Sequence, residues 1–297
     1  MSNRPIWMEK PHPVVTAFKV VVLALSVLVV VIPFWSVLVT SLADQETINA
    51  SGGGMILVPQ QIDFSAYEAI ISGGTVTRAL LISIGITIIG TLLSLACSAG
   101  LAYWLARRYA WGSHPVLMIV LGAILFGPGL IPTYLVVKTF GLLDSWWSLI
   151  LPTMISAFNV VVMRAFFMEL PEELFESAEI DGASQASIFF RIVMPLSKAV
   201  LAVIGLFYAV AYWNAFFSAL LYINTPEKWP MALVLRTYVI NQTLMTSDQL
   251  ANAGEVLPPQ LSLQMAVLVL AIVPILIVYP FLQRHFAKGV LVGAVKG

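Results

Sequence analysis

The chain has 297 residues, of which 60% are hydrophobic and only 10% charged, with a mean hydropathy of +0.94. Soluble domains carry roughly 25% charged residues, so this composition belongs to an integral membrane protein. Fifteen Lys and Arg balance fifteen Asp and Glu, which removes the basic footprint of a nucleic-acid binder.

Residues 1–19 form a polar arm containing Arg4, Lys10 and Lys19. A basic arm before an apolar run resembles a signal peptide. The run that follows is too long for a 7–15-residue h-region, and no small-x-small cleavage site follows promptly, so 20–43 is expected to be a retained first transmembrane helix. A bilayer core requires about 20 apolar residues per helix. Further charge-free stretches long enough run over 79–106, 109–137, 145–163, 199–226 and 256–283, which predicts an all-α polytopic protein with six transmembrane helices. Prolines inside several of them (Pro33, Pro128, Pro132, Pro152, Pro274, Pro280) predict kinks, which neighbouring helices make tolerable in a membrane.

With both termini placed in the cytoplasm, eleven of the fifteen Lys and Arg fall on the cytoplasmic side and four (Arg78, Lys138, Lys228, Arg236) on the other. This bias fixes the expected orientation. The expected organisation is a cytoplasmic arm (1–19), a first helix (20–43), an extracellular loop (44–77), a five-helix core (78–283) and a cytoplasmic tail (284–297). The core carries a cytoplasmic loop at 169–197 and an extracellular loop at 223–256. The first outer loop contains the turn Ser51-Gly52-Gly53-Gly54. The second contains Trp229-Pro230 followed by 231–240, expected to be a short surface helix, and its length suits a docking surface.

Several chemistries are excluded. The single cysteine, Cys97, sits in an apolar run and is expected to be a small core residue; one cysteine allows no intrachain disulfide and no multi-cysteine metal site. His12, His114 and His285 are far apart and flank apolar segments. No G-x-x-x-x-G-K-[ST] loop, H-E-x-x-H or G-x-S-x-G occurs. The chain is therefore not expected to be an enzyme or to bind a cofactor, and any driving nucleotide binds to another chain.

No Asp or Glu lies within the six stretches, whereas ion-coupled carriers usually keep an intramembrane carboxylate. The polar groups that remain are neutral, among them Asn159, Asn214 and Gln264. Aromatic residues cluster around Tyr208, Tyr212, Trp213, Phe216 and Phe217. Amides that bond hydroxyls, beside rings that stack on C–H faces, suit a sugar-like solute. Asn159, Tyr212 and Asn214 are the candidate substrate-path residues.

One segment is both charged and apolar: Pro171 to Pro195. Pro171 suits a first helical turn, and Glu172 and Glu173 complement the helix dipole. Leu174, Phe175 and Ala178 form an apolar stripe, and Asp181-Gly182 ends the helix with glycine in the left-handed cap. Ser184 caps a second helix, which puts Ile188, Phe189, Ile192 and Val193 on one face and ends before Pro195. Burying Phe189 alone is worth roughly 1.5–3 kcal/mol, so a groove should receive it. That groove is either the protein's own membrane domain or a soluble partner; spacing does not choose.

The spacing Glu176-Ser177-Ala178, Gly182, Ile192 and Pro195 resembles the E-A-A, three residues, G, nine residues, I-x-L-P motif of permeases from ATP-binding-cassette (ABC) importers, with Ser177 and Met194 as departures. The resemblance extends over nearly the whole chain. Ile180-Asp181-Gly182-Ala183-Ser184, Trp213-Asn214 and 293–297 are similar to the carbohydrate branch that includes maltose permeases. Phe126 to Tyr134 and Tyr279-Pro280-Phe281 resemble the subgroup for complex oligosaccharides and uronides, with Pro128 where that subgroup usually has glycine.

The resemblance implies a type I ABC importer permease fold in the plasma membrane of a prokaryote. It also implies a coupling loop at Glu173, Glu176, Ser177, Ala178, Asp181, Gly182, Phe189, Ile192 and Pro195 that enters an ATPase subunit, and a tail whose Lys296 and Gly297 contact that ATPase. The implied partners are a second homologous permease, two ATPase subunits carrying ATP and Mg, an extracellular sugar-binding protein and membrane lipid. The competing function is an ATP-independent channel or secondary carrier for a neutral polar solute, whose cytoplasmic helix pair packs only on its own bundle.

Overall fold

The protein is described here by a computed structural model that covers residues 13–52, 54–58, 60–107, 110–240 and 258–294. Its described residues are helical apart from turns, loops and one isolated antiparallel bridge between Ala43 and Ile62. Two compact units are present, one formed by 1–72 with 245–269 and the other by 73–244 with 270–297.

In the first unit, α1 (Pro13–Ser41) is a 29-residue apolar helix, long enough to cross a membrane, with Pro33 inside it. Its buried residues are confined to its end: Ser36, Val39, Thr40 and Ser41. There Val39 packs with Ala43 and Ile56, the hydroxyls of Ser41 and Tyr67 lie 2.7 Å apart, and the Trp35 indole N–H donates to the Leu57 carbonyl at 2.9 Å. Asp44 caps the short α2 (Gln45–Ala50), and α3 (Ser65–Gly73) follows. The Gly54 N–H donates to the Ser51 carbonyl at 3.0 Å. The first turns of α15 (Gln260–Ala294) contribute buried Leu263, Ala266 and Val267, and Ser262 donates to the Ala43 carbonyl at 2.6 Å.

The second unit is built around α4 (Thr75–Ala106), which packs on α8 (Ala157–Met168) and α12 (Lys198–Trp213). At 1.5 Å per residue, the distance from Arg78 to Arg107 along α4 is about 44 Å, the full thickness of a bilayer with its headgroup regions. The two arginines therefore mark opposite faces of the membrane, and every apolar turn of α4 lies between them. Small residues let the helices approach: Gly90 sits against the Tyr212 ring, and Ser94 and Ser98 meet Tyr212 and Tyr208 at 2.7 and 2.6 Å between hydroxyls. Small and hydroxyl residues at helix contacts are the usual packing chemistry of a membrane bundle, where apolar burial alone gives no preference over lipid.

The remaining spans are broken. Helices α5 (Ser113–Leu125) and α6 (Leu130–Thr139) meet at 120°, not as the single kinked helix expected over 109–137. The break is Phe126-Gly127-Pro128-Gly129. Pro128 has no N–H to continue the helix, and Gly129 takes φ 76°, ψ 174°, a conformation essentially confined to glycine. The short α7 (Trp147–Ile150) and the 3₁₀ turn Leu151–Thr153 meet α8 at 50°, beside Pro152. Helix α12 ends at Asn214, and α13 (Phe216–Tyr222) restarts after it. Among the described residues, three helices are long and apolar enough to cross a membrane, rising to six if each bent pair counts as one span.

Two local expectations are corrected. The segment after Trp229-Pro230 is helical, as α14 (Met231–Leu235) and a π turn at Arg236–Ile240, but it is not a surface helix. Met231, Leu233, Val234 and Tyr238 are all buried, and the Met231 N–H donates to the Ser83 hydroxyl on α4 at 2.7 Å. The alternation of large apolar residues there fits a core-facing helix. Cys97 is exposed on α4 and is not a core residue; the buried small residues of that turn are its neighbours Ser98 and Ala99.

Candidate functional site

Two regions of the second unit carry the chemistry. The first is a cavity of about 570 Å³ bounded by the end of α7, the start of α8, and the α12–α13 junction. Its volume suits a small-molecule ligand. The three candidate substrate-path residues, Asn159, Tyr212 and Asn214, all line it, with Phe158, Phe207, Phe216 and Phe217 as aromatic wall and Thr153, Ser156 and Ser218 as further neutral polar groups. Among the described residues, none that lines it is charged.

These residues play different parts. Asn159 is 5% exposed, and its side-chain amide has no hydrogen-bond partner among the described residues; only its backbone N–H is used, to the capping Ser156 hydroxyl at 3.4 Å. Its polar atoms face the cavity rather than the packed core, where they are free to bond another group. Asn214 donates through Nδ2 to the Val210 carbonyl at 2.8 Å, which leaves its Oδ1 as an acceptor. Tyr212 lines the cavity with its ring, while its hydroxyl is committed to Ser94 and to the Ile150 carbonyl at 3.3 Å. Sequence reading missed Tyr208 as a positioning residue. Its hydroxyl accepts the Ser156 N–H at 2.9 Å and meets Ser98, so α4, α8 and α12 are tied together at the cavity wall. Arg236 lies 4.9 Å from the centroid of the Phe216 ring and so sets a positive charge behind that wall.

The second region is Pro171–Pro195. Helix α9 (Glu172–Ile180) begins directly after Pro171 and ends in a paired cap: the Gly182 N–H donates to the Glu179 carbonyl at 3.0 Å and the Ala183 N–H to the Ala178 carbonyl at 2.9 Å, with Gly182 at φ +75°. This is the glycine-dependent helix stop anticipated at Asp181-Gly182. Ser184 caps α10 (Gln185–Ile188) through the Ser187 N–H at 3.2 Å.

The second helix then departs from expectation. It widens into a π turn at Phe189–Val193 and runs on as α11 (Met194–Leu196), so Pro195 lies inside it. The Met194 N–H reaches back to the Phe189 carbonyl, and this wider turn accommodates a proline that would clash with an ordinary i−4 carbonyl. Helix α12 then leaves at 84°, after the buried Ser197.

The two grooves left open by spacing are now distinguished residue by residue. The membrane domain of the chain itself receives Phe175, Ile188 and Val193, all buried, and Phe189, whose ring packs tilted at 41° against Tyr103 of α4, centroids 5.1 Å apart. Ile192 and Ala178 are half-buried against the same core. Glu173, Glu176, Ser177, Asp181, Gly182 and Pro195 are exposed, together with Ile180 (86% exposed) and Phe190 (66%), which sequence reading did not single out. Phe189 and Ile192 therefore support the loop from within. The outward surface is acidic with three apolar points, Leu174, Ile180 and Phe190.

A clamp that sequence reading also missed fixes this loop. Arg107, the residue after α4, forms an ion pair with Glu179 and lies over the Phe175 ring at 4.9 Å. Gln185 Nε2 donates to the same Glu179 carboxylate at 2.9 Å, and the Tyr103 hydroxyl donates to Gln185 Oε1 at 2.8 Å. Both helices of the loop are thus tied to one end of α4, while the cavity is tied to its middle. Lys296 and Gly297 lie outside the described residues, as does 241–256 of the expected outer loop.

The model of the binding-protein-dependent transport system inner membrane component family matches residues 93–292, a stretch that includes both the cavity and the clamped loop. The chain belongs to this family. A polygalacturonan/rhamnogalacturonan transport system permease protein of Bacillus subtilis is 45% identical over 93% of this chain and 96% of its own length. The protein LplC of the same organism is also 45% identical, over 91% of this chain and 90% of its own. Among solved structures, a bacterial ABC transporter involved in the import of the acidic polysaccharide alginate superposes with a TM-score of 0.85 at 25% identity, covering 95% of this chain and all of the matched chain.

The permease is accordingly a multi-pass membrane protein with the type I ABC importer fold. It is a transport subunit and not an enzyme, and it works in a complex with an ATPase and a substrate-binding protein. The ATP-independent channel or carrier falls away with that membership.

Proposed function

We propose that this permease carries an oligosaccharide across the plasma membrane through the 570 Å³ cavity, and that Pro171–Pro195 is where the ATPase drives it. The observation that carries the proposal is the buried, unpartnered Asn159 amide in a wall of aromatic rings and neutral polar groups. Such a wall offers what a sugar needs: flat faces for C–H stacking and amides for hydroxyls. The relatives that transport polygalacturonan, rhamnogalacturonan and alginate point to the same chemical class. Arg236 behind Phe216 adds the positive charge that an acidic sugar would use.

The complete importer contains a second, homologous permease, two ATPase subunits that hold ATP and Mg, and an extracellular sugar-binding protein. Both termini and Pro171–Pro195 face the cytoplasm, in keeping with the placement of Lys and Arg. The exposed carboxylates Glu173 and Glu176, with Ile180 and Phe190, form the surface that enters the ATPase; Lys296 and Gly297 add a tail contact. The 84° break at Ser197 sends motion of that loop directly into α12, which lines the cavity.

The test is uptake by the assembled complex. Glu176→Lys reverses a charge on the exposed face, and Gly182→Pro destroys the turn. Both should abolish uptake while the chain still inserts and pairs. Normal uptake in either variant, with normal assembly, would remove the ATPase-coupling role from this loop.

A further inference from the structure

A second cavity, of about 500 Å³, lies at the Arg78 end of the same unit. One wall is a single stripe of α4: Arg78, Leu81, Ile82, Gly85, Ile86 and Ile89, each three or four residues from the next but for the adjacent pairs. The opposite wall is Asp144 to Trp147, with Ile150 and Lys228. Polar groups are confined to one end. Below Arg78 and the Asp144–Lys228 pair, the α4 wall is entirely apolar.

This gradient does not suit a sugar, which presents hydroxyls along its whole length. It suits an amphiphile. The head of the groove is cationic because Lys228 is already answered: its ammonium bonds the Asp144 carboxylate and carbonyl, both at 2.7 Å. Arg78 is exposed; its backbone N–H bonds the Gly74 carbonyl at 2.9 Å, and its guanidinium makes no hydrogen bond or ion pair with any described residue. Trp146 and Trp147, 46% and 47% exposed, stand beside it, as aromatic residues do at the headgroup level of a bilayer.

The length agrees. Eleven residues separate Arg78 from Ile89, about 16 Å of helix, which is half of a hydrocarbon core of about 30 Å and hence one leaflet. Midway, Gly85 leaves the groove open: a Cβ added there would meet no atom within 4 Å.

We propose that this groove is a binding site for one anionic glycerophospholipid, with the phosphate on Arg78 and an acyl chain along Leu81, Gly85 and Ile89. The site lies in the leaflet away from Pro171–Pro195. It is separate from the cavity at Asn159: among the described residues no α4 side chain lines that cavity, and Ser94 and Ser98 reach it only by bonding Tyr212 and Tyr208.

The experiment uses the whole transporter complex, purified in detergent from vesicles of equal phosphatidylglycerol and phosphatidylcholine, with retained lipid counted by native mass spectrometry. The wild type should keep one phosphatidylglycerol per copy of this chain through the washes that remove phosphatidylcholine. Arg78→Gln should lower that preference by about fivefold, the effect of one basic residue at an anionic surface. Gly85→Leu should abolish retention, and it should assemble normally because the new side chain points into open space and leucine favours helix over glycine. Equal retention in the wild type and Gly85→Leu would overturn the proposal, as would equal retention of the two lipids. Crosslinking of a residue at position 85 to a second protein chain would also overturn it, since the groove would then be a subunit contact.

Discussion

Arg107 and Glu179 are 72 residues apart in the chain, and their ion pair joins the end of the longest described helix of the second unit to the acidic loop helix. An exposed pair of this kind contributes only about 0–1 kcal/mol to stability. Its value here is geometric. Glu179 also receives Gln185, and Arg107 also covers Phe175, so one contact fixes the angle between α4 and both loop helices. Glu179→Gln or Arg107→Gln should therefore leave a complex that assembles and hydrolyses ATP but transports at least about tenfold more slowly, a loss of about 1.4 kcal/mol in coupling. Measuring hydrolysis and uptake in the same proteoliposomes separates the two. Partial rescue by the exchanged pair Arg107→Glu with Glu179→Arg would show that the contact itself matters.

Gly182 is a test of backbone alone. Its φ of +75° costs other L-residues about 1–2 kcal/mol, while a Cβ there would touch nothing within 4 Å. Gly182→Asn should be mild, since asparagine tolerates the left-handed region, whereas Gly182→Val should be severe. Thermal unfolding and uptake should follow the same order, Gly, Asn, Val. Equal effects of Asn and Val would mean that surface shape rather than turn geometry is being read.

At the other end of the second unit, Asp144 accepts from the Lys228 ammonium (2.7 Å), the Thr225 hydroxyl (2.6 Å), and the backbone N–H groups of Asn224 and Thr225 (3.0 and 2.9 Å). Lys228 first, then Thr225, holds the carboxyl well below the usual aspartate range. A depressed carboxylate stabilises above its unfolded pKa of about 3.9, and that contribution fades as pH falls towards the lower folded value. The start of the 223–256 loop should therefore stay ordered through pH 4 and loosen only below it. Asp144→Asn should expose the bond after Lys228 to trypsin at neutral pH, where the wild type is protected.

Gly90 is a packing prediction. A Cβ there would lie 2.8 Å from the Tyr212 ring, which is itself 5% exposed and pinned through its hydroxyl. Gly90→Ala should cost about 1–3 kcal/mol by overpacking, and adding Tyr212→Leu should recover part of that loss. Thermal melting of the complex in detergent measures both.

What could be read from the chain was local. Pro171, Gly182 and Ser184 are each placed by a backbone rule that acts within a few residues, so the helix–turn–helix was legible. Asn159 and Asn214 stood out as neutral amides in apolar runs, and both line the cavity. The Arg107–Glu179 pair was not legible, because nothing in either neighbourhood names the other. Nor was the π turn that takes Pro195 into its helix, since proline ordinarily ends one. The apolar pattern of 231–240 suited a lipid surface and a protein core equally, and only the Ser83 contact shows which it meets. Tyr212 lines the cavity, as a path residue would, but that its hydroxyl bonds Ser94, 118 residues away, was not legible.

On the proposed function, solute passes the cavity at Asn159 and ATP drives that passage. The direct test is ATP-dependent uptake of a labelled acidic oligosaccharide, an oligogalacturonate, into liposomes containing the full complex, for the wild type and Asn159→Leu. Leucine removes an amide that no described residue uses, so stability and ATP hydrolysis should be unchanged or slightly raised while uptake falls at least about tenfold. Undiminished uptake by Asn159→Leu, or wild-type uptake that proceeds without the ATPase subunits, would contradict the account.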